Sequence, residues 1–217
     1  MDNTHPAPCP PGIGTQAPDF EALTTTGKIK FSEFARNKWV VFFSHPADFT
    51  PVCTTEMRGF AARQDEFAGL QTELLGLSID NIHAHIAWVN NVREKSGVYI
   101  RFPIIADFDM KVARLYGMVQ PGESTAEAVR AVLFIDPTRK IRLSMYYPMS
   151  VGRNLDEILR ALKALQFVDE HHVSTPLNWQ PGDKVILPAP QTLEQLDARL
   201  ADESVEKMDF YLAEKQV

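Results

Sequence analysis

Residues 44–56 read S-H-P-A-D-F-T-P-V-C-T-T-E, which gathers Pro46, Thr50, Pro51 and Cys53 within eight positions directly after an apolar run. The chemistry on offer is that of a thiol. With Thr50 as the cap of a helix and Pro51 in its first position, Cys53 falls in the first turn, where unpaired backbone N–H groups and the helix dipole favour an anion. A thiolate, unlike a thiol, is a nucleophile. On position alone a second reading stays open, because unpaired cysteines are among the most buried side chains and most only fill space. Pro46 and Pro51 stiffen the loop, Thr50 brings a hydroxyl one helical turn away, and Glu56 stands where a dithiol exchanger carries its second cysteine. His45 is read as a wall residue shaping hydrogen bonds beside Cys53, with local packing as its plain role; as a base it would make a cysteine hydrolase, which needs an ester or amide substrate.

The elements that must hold this loop follow from pattern. From Trp39, W-V-V-F-F-S is continuous and apolar, as expected of a strand buried on both faces. The helix after it repeats apolar residues at Met57, Phe60, Ala61 and Phe67. A second buried strand is expected at 73–79, then a helix with Ile86, Trp88 and Val89 at helical spacing, then F-P-I-I-A-D and a short helix near Met110 to Leu115. A hairpin is expected around Asp136-Pro137. Asn154 with Glu157 opens an amphipathic helix over Leu155, Ile158, Leu159, Leu162 and Leu165, ending near Gln166. The order predicts an α/β protein with a mixed central sheet flanked by helices, of which the thioredoxin-like fold is one form. It divides into a proline-rich arm over 1–18, a main domain over 19–168, and a small C-terminal extension over 169–217 whose last 27 residues read as a charged helix.

Composition narrows the function. A net charge of −6 argues against nucleic acid as a partner, and no apolar run reaches the ~20 residues of a membrane span. The start lacks a basic region followed by an apolar one, so the expected location is cytoplasmic. The only other cysteine, Cys9, lies in the proline-rich arm, and no C-x-x-C or zinc spacing occurs. His83 and His85, two apart on a helix, point about 200° apart and cannot share an ion; His171 and His172 are adjacent near a linker. Neither a phosphate-cradling G-x-x-x-x-G-K nor a dinucleotide G-x-G-x-x-G is present, so neither a metal nor an organic cofactor is expected.

P-A-D-F-T-P-V-C resembles the P-x-x-x-T-x-x-C signature of peroxiredoxins, the alkyl hydroperoxide reductase and thiol-specific antioxidant family of thioredoxin-like fold. Together with S-M-Y-Y-P-M-S-V-G-R-N-L-D-E-I-L-R and T-P-L-N-W-Q-P-G-D, the chain resembles the one-cysteine, peroxiredoxin-six-like class with its extended C-terminal domain. The resemblance implies that Cys53 is the peroxidatic nucleophile, that Thr50 and local backbone hold the peroxide, that Pro46 shields the site, and that Arg130 arrives from the hairpin. A guanidinium there would favour the thiolate and donate to peroxide oxygens as the O–O bond breaks. Arg153 resembles a second active-site arginine of the family, with a helix-flanking arginine as the plain alternative. Glu56 would orient one of them or else serve only the helix dipole. The implied activity is reduction of hydrogen peroxide and organic hydroperoxides through a Cys53 sulfenic acid, restored by an external thiol: thioredoxin, glutaredoxin or glutathione. Cys9 as an internal partner is the lesser reading. A peroxide-sensing or holdase scaffold is the alternative function, and a homodimer or a homodecameric ring the implied assembly, with the C-terminal segment packed on a neighbouring subunit. The lipase-like serine of some relatives is not carried over: F-S-E-F-A-R-N-K-W-V lacks its G-x-S-x-G turn, and G-L-S-I-D at 76–80 matches only in part.

Overall fold

The computed structural model describes residues 10–217; Cys9 and the start of the proline-rich arm lie outside the described residues. The chain forms two compact units, one ending at Leu155 and one spanning Asp156–Val217.

The first unit contains β1 (Glu21–Thr24), β2 (Gly27–Lys30), α1 (Phe31–Phe34), β3 (Trp39–Ser44), α2 (Pro51–Ala62), α3 (Gln64–Gly69), β4 (Thr72–Ser78), α4 (Ile82–Ser96), β5 (Ile104–Ala106), α5 (Lys111–Leu115), β6 (Arg130–Ile135) and β7 (Ile141–Tyr147). Seven strands form one sheet in the order β2-β1-β5-β4-β3-β6-β7. β3 pairs parallel with β4 and antiparallel with β6, so the sheet is mixed, as expected. All six residues of β3 are buried, which explains its unbroken apolar run.

Alternation along β3 divides the core. Phe42 faces a cluster with Phe31 of α1, Ala113 of α5 and Tyr116. Phe43 points the other way and stacks on Phe60 of α2, ring centroids 4.1 Å apart and planes 10° from parallel. A pair of this kind contributes about 1 kcal/mol beyond burial, so it fixes α2 over the sheet and with it the first turn that carries Cys53.

The Asp136-Pro137 hairpin forms as expected; Asp136 Oδ1 accepts from the backbone N–H of Thr138 and Lys140 at 2.8 and 3.0 Å. The described part of the arm runs beside it, with Gly14 N–H donating to Ile141 O and Ala17 N–H to Arg139 O. The β1–β2 hairpin is an addition to the sequence reading. Its strands are four residues each and mostly exposed, so they carry no periodic signal, and the turn depends on Gly27 at φ +115°. In α4 the buried face is His85, Trp88 and Val92; of the expected residues Trp88 is buried, whereas Ile86 is 53% exposed.

The second unit contains α6 (Leu155–His171), β8 (Val185–Ile186), α7 (Leu193–Ala201), β9 (Glu206–Asp209) and β10 (Leu212–Lys215). α6 continues five residues beyond Gln166 and passes unbroken through position 169. The expected terminal helix is a correction: only Leu193–Ala201 is helical, and the strands after it, β9 and β10, join β8 from before it in a sheet of order β8-β10-β9. The helix stops because the Lys207 ammonium takes the last carbonyls of Arg199 and Leu200 at 3.0 and 3.1 Å, while Asp202 turns the chain by accepting from Ser204 N–H. No helix among the described residues is long and apolar enough to cross a membrane.

Candidate active site

Cys53 lies fully buried in the first turn of α2, with Pro51 at the helix start. Thr50 occupies the cap position with extended backbone, yet its hydroxyl does not cap. It donates instead to Ala47 O at 2.8 Å, a correction to the sequence reading. The carbonyl three residues back is a local competitor for a threonine hydroxyl. The consequence is chemical: the first-turn N–H groups keep their field for the sulfur, and the Thr50 oxygen, its proton given to Ala47, presents lone pairs. Pro46 is buried in the same loop.

Burial does not leave the sulfur in hydrocarbon. Arg130, at the start of β6, places Nη1 at 3.4 Å from Cys53 Sγ. The same Nη1 donates to Glu56 Oε2 at 2.7 Å, while Nε and Nη2 both donate to Met149 O at 2.9 and 2.6 Å. Every branch of the guanidinium fork is thus anchored, and its charge is aimed by shape.

Glu56, one turn beyond Cys53 on α2, joins two arginines. Arg153 grips it in a fork, Nε to Oε1 at 2.9 Å and Nη2 to Oε2 at 2.7 Å, and its backbone N–H adds a third bond. Arg153 Nη1 donates to Ser44 O and Ala131 O, tying β3 to β6, and its guanidinium lies 5.2 and 5.4 Å from the Phe43 and Phe60 ring centroids. Arg153 therefore acts on Glu56 and the sheet, whereas Arg130 faces the sulfur.

Burial alone would raise the Glu56 carboxyl, but Arg153 and Arg130 overrule it and hold the group below the ordinary carboxylate range. A depressed folded value means that the ionised cluster stabilises the fold fully above the unfolded Glu value of about 4.3, and the contribution drains as pH falls from there through the lower folded value. Glu56→Gln is expected to lose about 3–5 kcal/mol at neutral pH, the usual result of leaving a buried charge partner uncompensated. Its stability should also fall less steeply than the native protein's as acid is added. Urea unfolding across a pH series measures both, and parallel acid limbs would contradict the assignment.

His45 has a different neighbourhood from the expected one. Its Nε2 meets Asp48 Oδ1 at 2.9 Å, and Asp48 Oδ2 meets His85 Nδ1 at 2.7 Å. Asp48 and His85 are the residues sequence reasoning missed. The signal for His85 was available in its spacing to Trp88 and Val92; Asp48 had none beyond its place in the loop. His45, Asp48 and Asp80 offer atoms within 4.8 Å of one another, a geometry that could hold an ion. Both Asp48 oxygens, however, already meet histidine nitrogens, and Asp80 Oδ2 accepts from Ser78 Oγ and Asp48 N–H.

Comparison with known proteins gives the family. Residues 13–144 match the AhpC/TSA family, and residues 164–202 match the C-terminal domain of 1-Cys peroxiredoxin. A peroxiredoxin of Methanosarcina mazei is 50% identical over 214 residues, covering 95% of this chain and 98% of its own. Peroxiredoxin 2 of Caldanaerobacter subterraneus is 49% identical, with 98% and 96% covered. Among solved structures, a yeast mitochondrial 1-Cys peroxiredoxin, described as resolved via glutathione/thioredoxin systems, is similar at TM-score 0.86 and 41% identity, covering 95% of this chain and 99% of that one. A cysteine-to-serine mutant of peroxiredoxin 6 of Arenicola marina is similar at TM-score 0.86 and 38% identity, covering 94% and 97%.

Proposed function

Because this chain belongs to the AhpC/TSA family and is a thiol peroxidase of thioredoxin-like fold with a C-terminal extension, we propose that Cys53 is the sulfur that attacks the peroxide. The observation that carries this reading is the Arg130 guanidinium 3.4 Å from Cys53 Sγ at the first turn of α2.

The thiolate attacks one peroxide oxygen, the O–O bond breaks, and the departing oxygen takes a proton to leave as water or an alcohol. Sulfur keeps the attacked oxygen as sulfenic acid and is oxidised by two electrons, while the other oxygen is the one that leaves. Thr50 Oγ1 accepts from the hydroperoxide O–H, and Arg130 Nη1 and the first-turn N–H groups donate where negative charge gathers. Pro46 closes the loop over the sulfur, and Glu56 and Arg153 hold Arg130 in place. His45 lines the loop.

Return to the thiol takes two equivalents of an external thiol. The first displaces water to form a mixed disulfide, and the second releases Cys53. Cys53 is the one cysteine among the described residues, which supports an external reductant of the thioredoxin, glutaredoxin or glutathione type. The C-terminal segment 169–217 pairs with a second copy of the chain, a reading supported by the exposure of Leu177, Leu193 and Met208 at 91%, 80% and 80%.

Hydrogen peroxide given in equal amount should add one oxygen to the protein mass at Cys53, and one of the three thiol systems should restore the thiol and sustain turnover. Oxidation without restoration by any of them would overturn the external-thiol cycle. Light scattering on the same sample should give at least twice the chain mass.

A further inference from the structure

Asp48 sits at the centre of the loop between β3 and α2, and each of its polar side-chain atoms is engaged. Its backbone N–H donates to Asp80 Oδ2 at 3.0 Å, Oδ1 meets His45 Nε2, and Oδ2 meets His85 Nδ1. His85 Nε2 in turn meets Ile105 O on β5 at 3.1 Å. Through this one residue the loop is tied by its backbone N–H to Asp80 just beyond β4 and by its side chain to α4, and through His85 to β5. The Asp48 and His side chains are essentially inaccessible, at 1% and 0% exposure.

The donors and acceptors fix the protons. A carbonyl only accepts, so His85 Nε2 must carry hydrogen. Burial works to raise the Asp48 carboxyl, yet the bonds from His45 and His85 bring it below its ordinary value, so it serves as the acceptor for His45, which donates through Nε2. Burial keeps His45 neutral. What remains is His45 Nδ1, a bare lone pair, buried and without a hydrogen-bond partner among the described residues.

A buried polar or ionic cluster is a poor source of stability compared with apolar packing, and its better attested use is to specify one arrangement over others. An arrangement in need of specification lies next door. Phe49, between Asp48 and Thr50, has φ +56°, a left-handed backbone that is unfavourable for a bulky residue and persists only when its surroundings enforce it. Asp48 clamps one side of it, and the Thr50 bond to Ala47 O clamps the other.

We propose that Asp48 and His85 are positioning residues of the peroxidase reaction, a buried hydrogen-bonded pair that sets His45 in its Nε2–H tautomer and enforces the strained turn presenting Thr50 and Cys53. The proposal rests on the peroxidase reading and adds to it the pair that holds the loop. In Asp48→Asn one carboxylate oxygen becomes an NH2 that only donates, so the side chain no longer holds both rings as the carboxylate does. His85→Phe removes both ring nitrogens while keeping a ring of similar size.

Nitrogen-15 spectra of histidine-labelled native protein, reduced and without peroxide, should show His45 protonated at Nε2 alone and His85 carrying hydrogen at Nε2. Below the melting temperature of each variant, the second-order rate of Cys53 oxidation by hydrogen peroxide should fall at least about tenfold, as a small misplacement of reacting groups does, and in Asp48→Asn the His45 signal should no longer be that of a single Nε2–H tautomer. A native His45 protonated at Nδ1 would overturn the proposal without any variant. So would variants that melt earlier but react within about twofold of the native rate, the mark of a purely structural pair. Failure of the native protein to consume peroxide would instead remove the peroxidase reading itself.

Discussion

Cys53→Ser protein should consume hydrogen peroxide at least about 10³-fold more slowly than the native chain, with no sulfenic acid left to trap. A serine hydroxyl at this site remains protonated and cannot take up oxygen as sulfur does, so no partial reaction survives. The fold should tolerate the change, since Ser is close in volume and the Arg130 fork keeps Glu56 and Met149 O as partners. An intact-mass measurement with a sulfenic-acid trap reads the outcome directly. A trapped adduct that persists after Cys53→Ser would move the chemistry to Cys9, the other thiol in the chain. Peroxide consumption at the native rate would remove Cys53 from the mechanism altogether.

Arg130→Met should slow Cys53 oxidation by roughly 10²–10³-fold, the effect of removing one aligned donor from developing negative charge in a site closed to water. Because Arg153 still holds Glu56 by three bonds, the carboxylate is not stranded, and much of the loss belongs to the sulfur and the transition state. Arg130→Lys separates charge from shape. An ammonium restores a cation but cannot serve Met149 O, Glu56 and the sulfur from fixed directions at once. Its rate should fall between the native protein and Arg130→Met in stopped-flow measurements with a single equivalent of peroxide. If Lys matches Arg, geometry is irrelevant and only the field of a cation matters. If Met matches Arg, the contact between Nη1 and the sulfur has no role in the reaction.

The two changes differ in what they leave behind. Cys53→Ser takes away the reacting atom, and every other part of the cluster stays. Arg130→Met keeps the thiol in the first turn of α2 with the helix N–H groups around it, so its residual rate reports how much the helix end supplies alone. The order of the two effects is therefore itself informative.

Much of the site was legible along the chain because it is built locally. Pro46, Thr50 and Cys53 lie in one loop and one helical turn, and a turn, a proline and a first-turn position are decided by neighbours a few residues apart. Resemblance to a family supplied Arg130 and Arg153, which pattern alone leaves as ordinary strand-end and helix-flanking arginines. Where local choices compete, the same reading erred. The Thr50 hydroxyl had two acceptable uses and took the carbonyl of Ala47 over the helix end. The last 27 residues had helical composition, yet Lys207 and Asp202 close the helix and the remainder pairs as strands.

What the order of residues determined by itself is the local setting of Cys53: an apolar strand that must be buried, a proline that starts a helix, and a cysteine three positions into it, all consequences of backbone geometry over short range. Only the tertiary structure decided which charges meet that sulfur and which hold the loop, because Arg130 lies 77 positions from Cys53 and His85 lies 37 from Asp48. Contacts at such separation depend on strand order and helix placement, and these are set by packing of the whole core rather than by any one stretch of the chain.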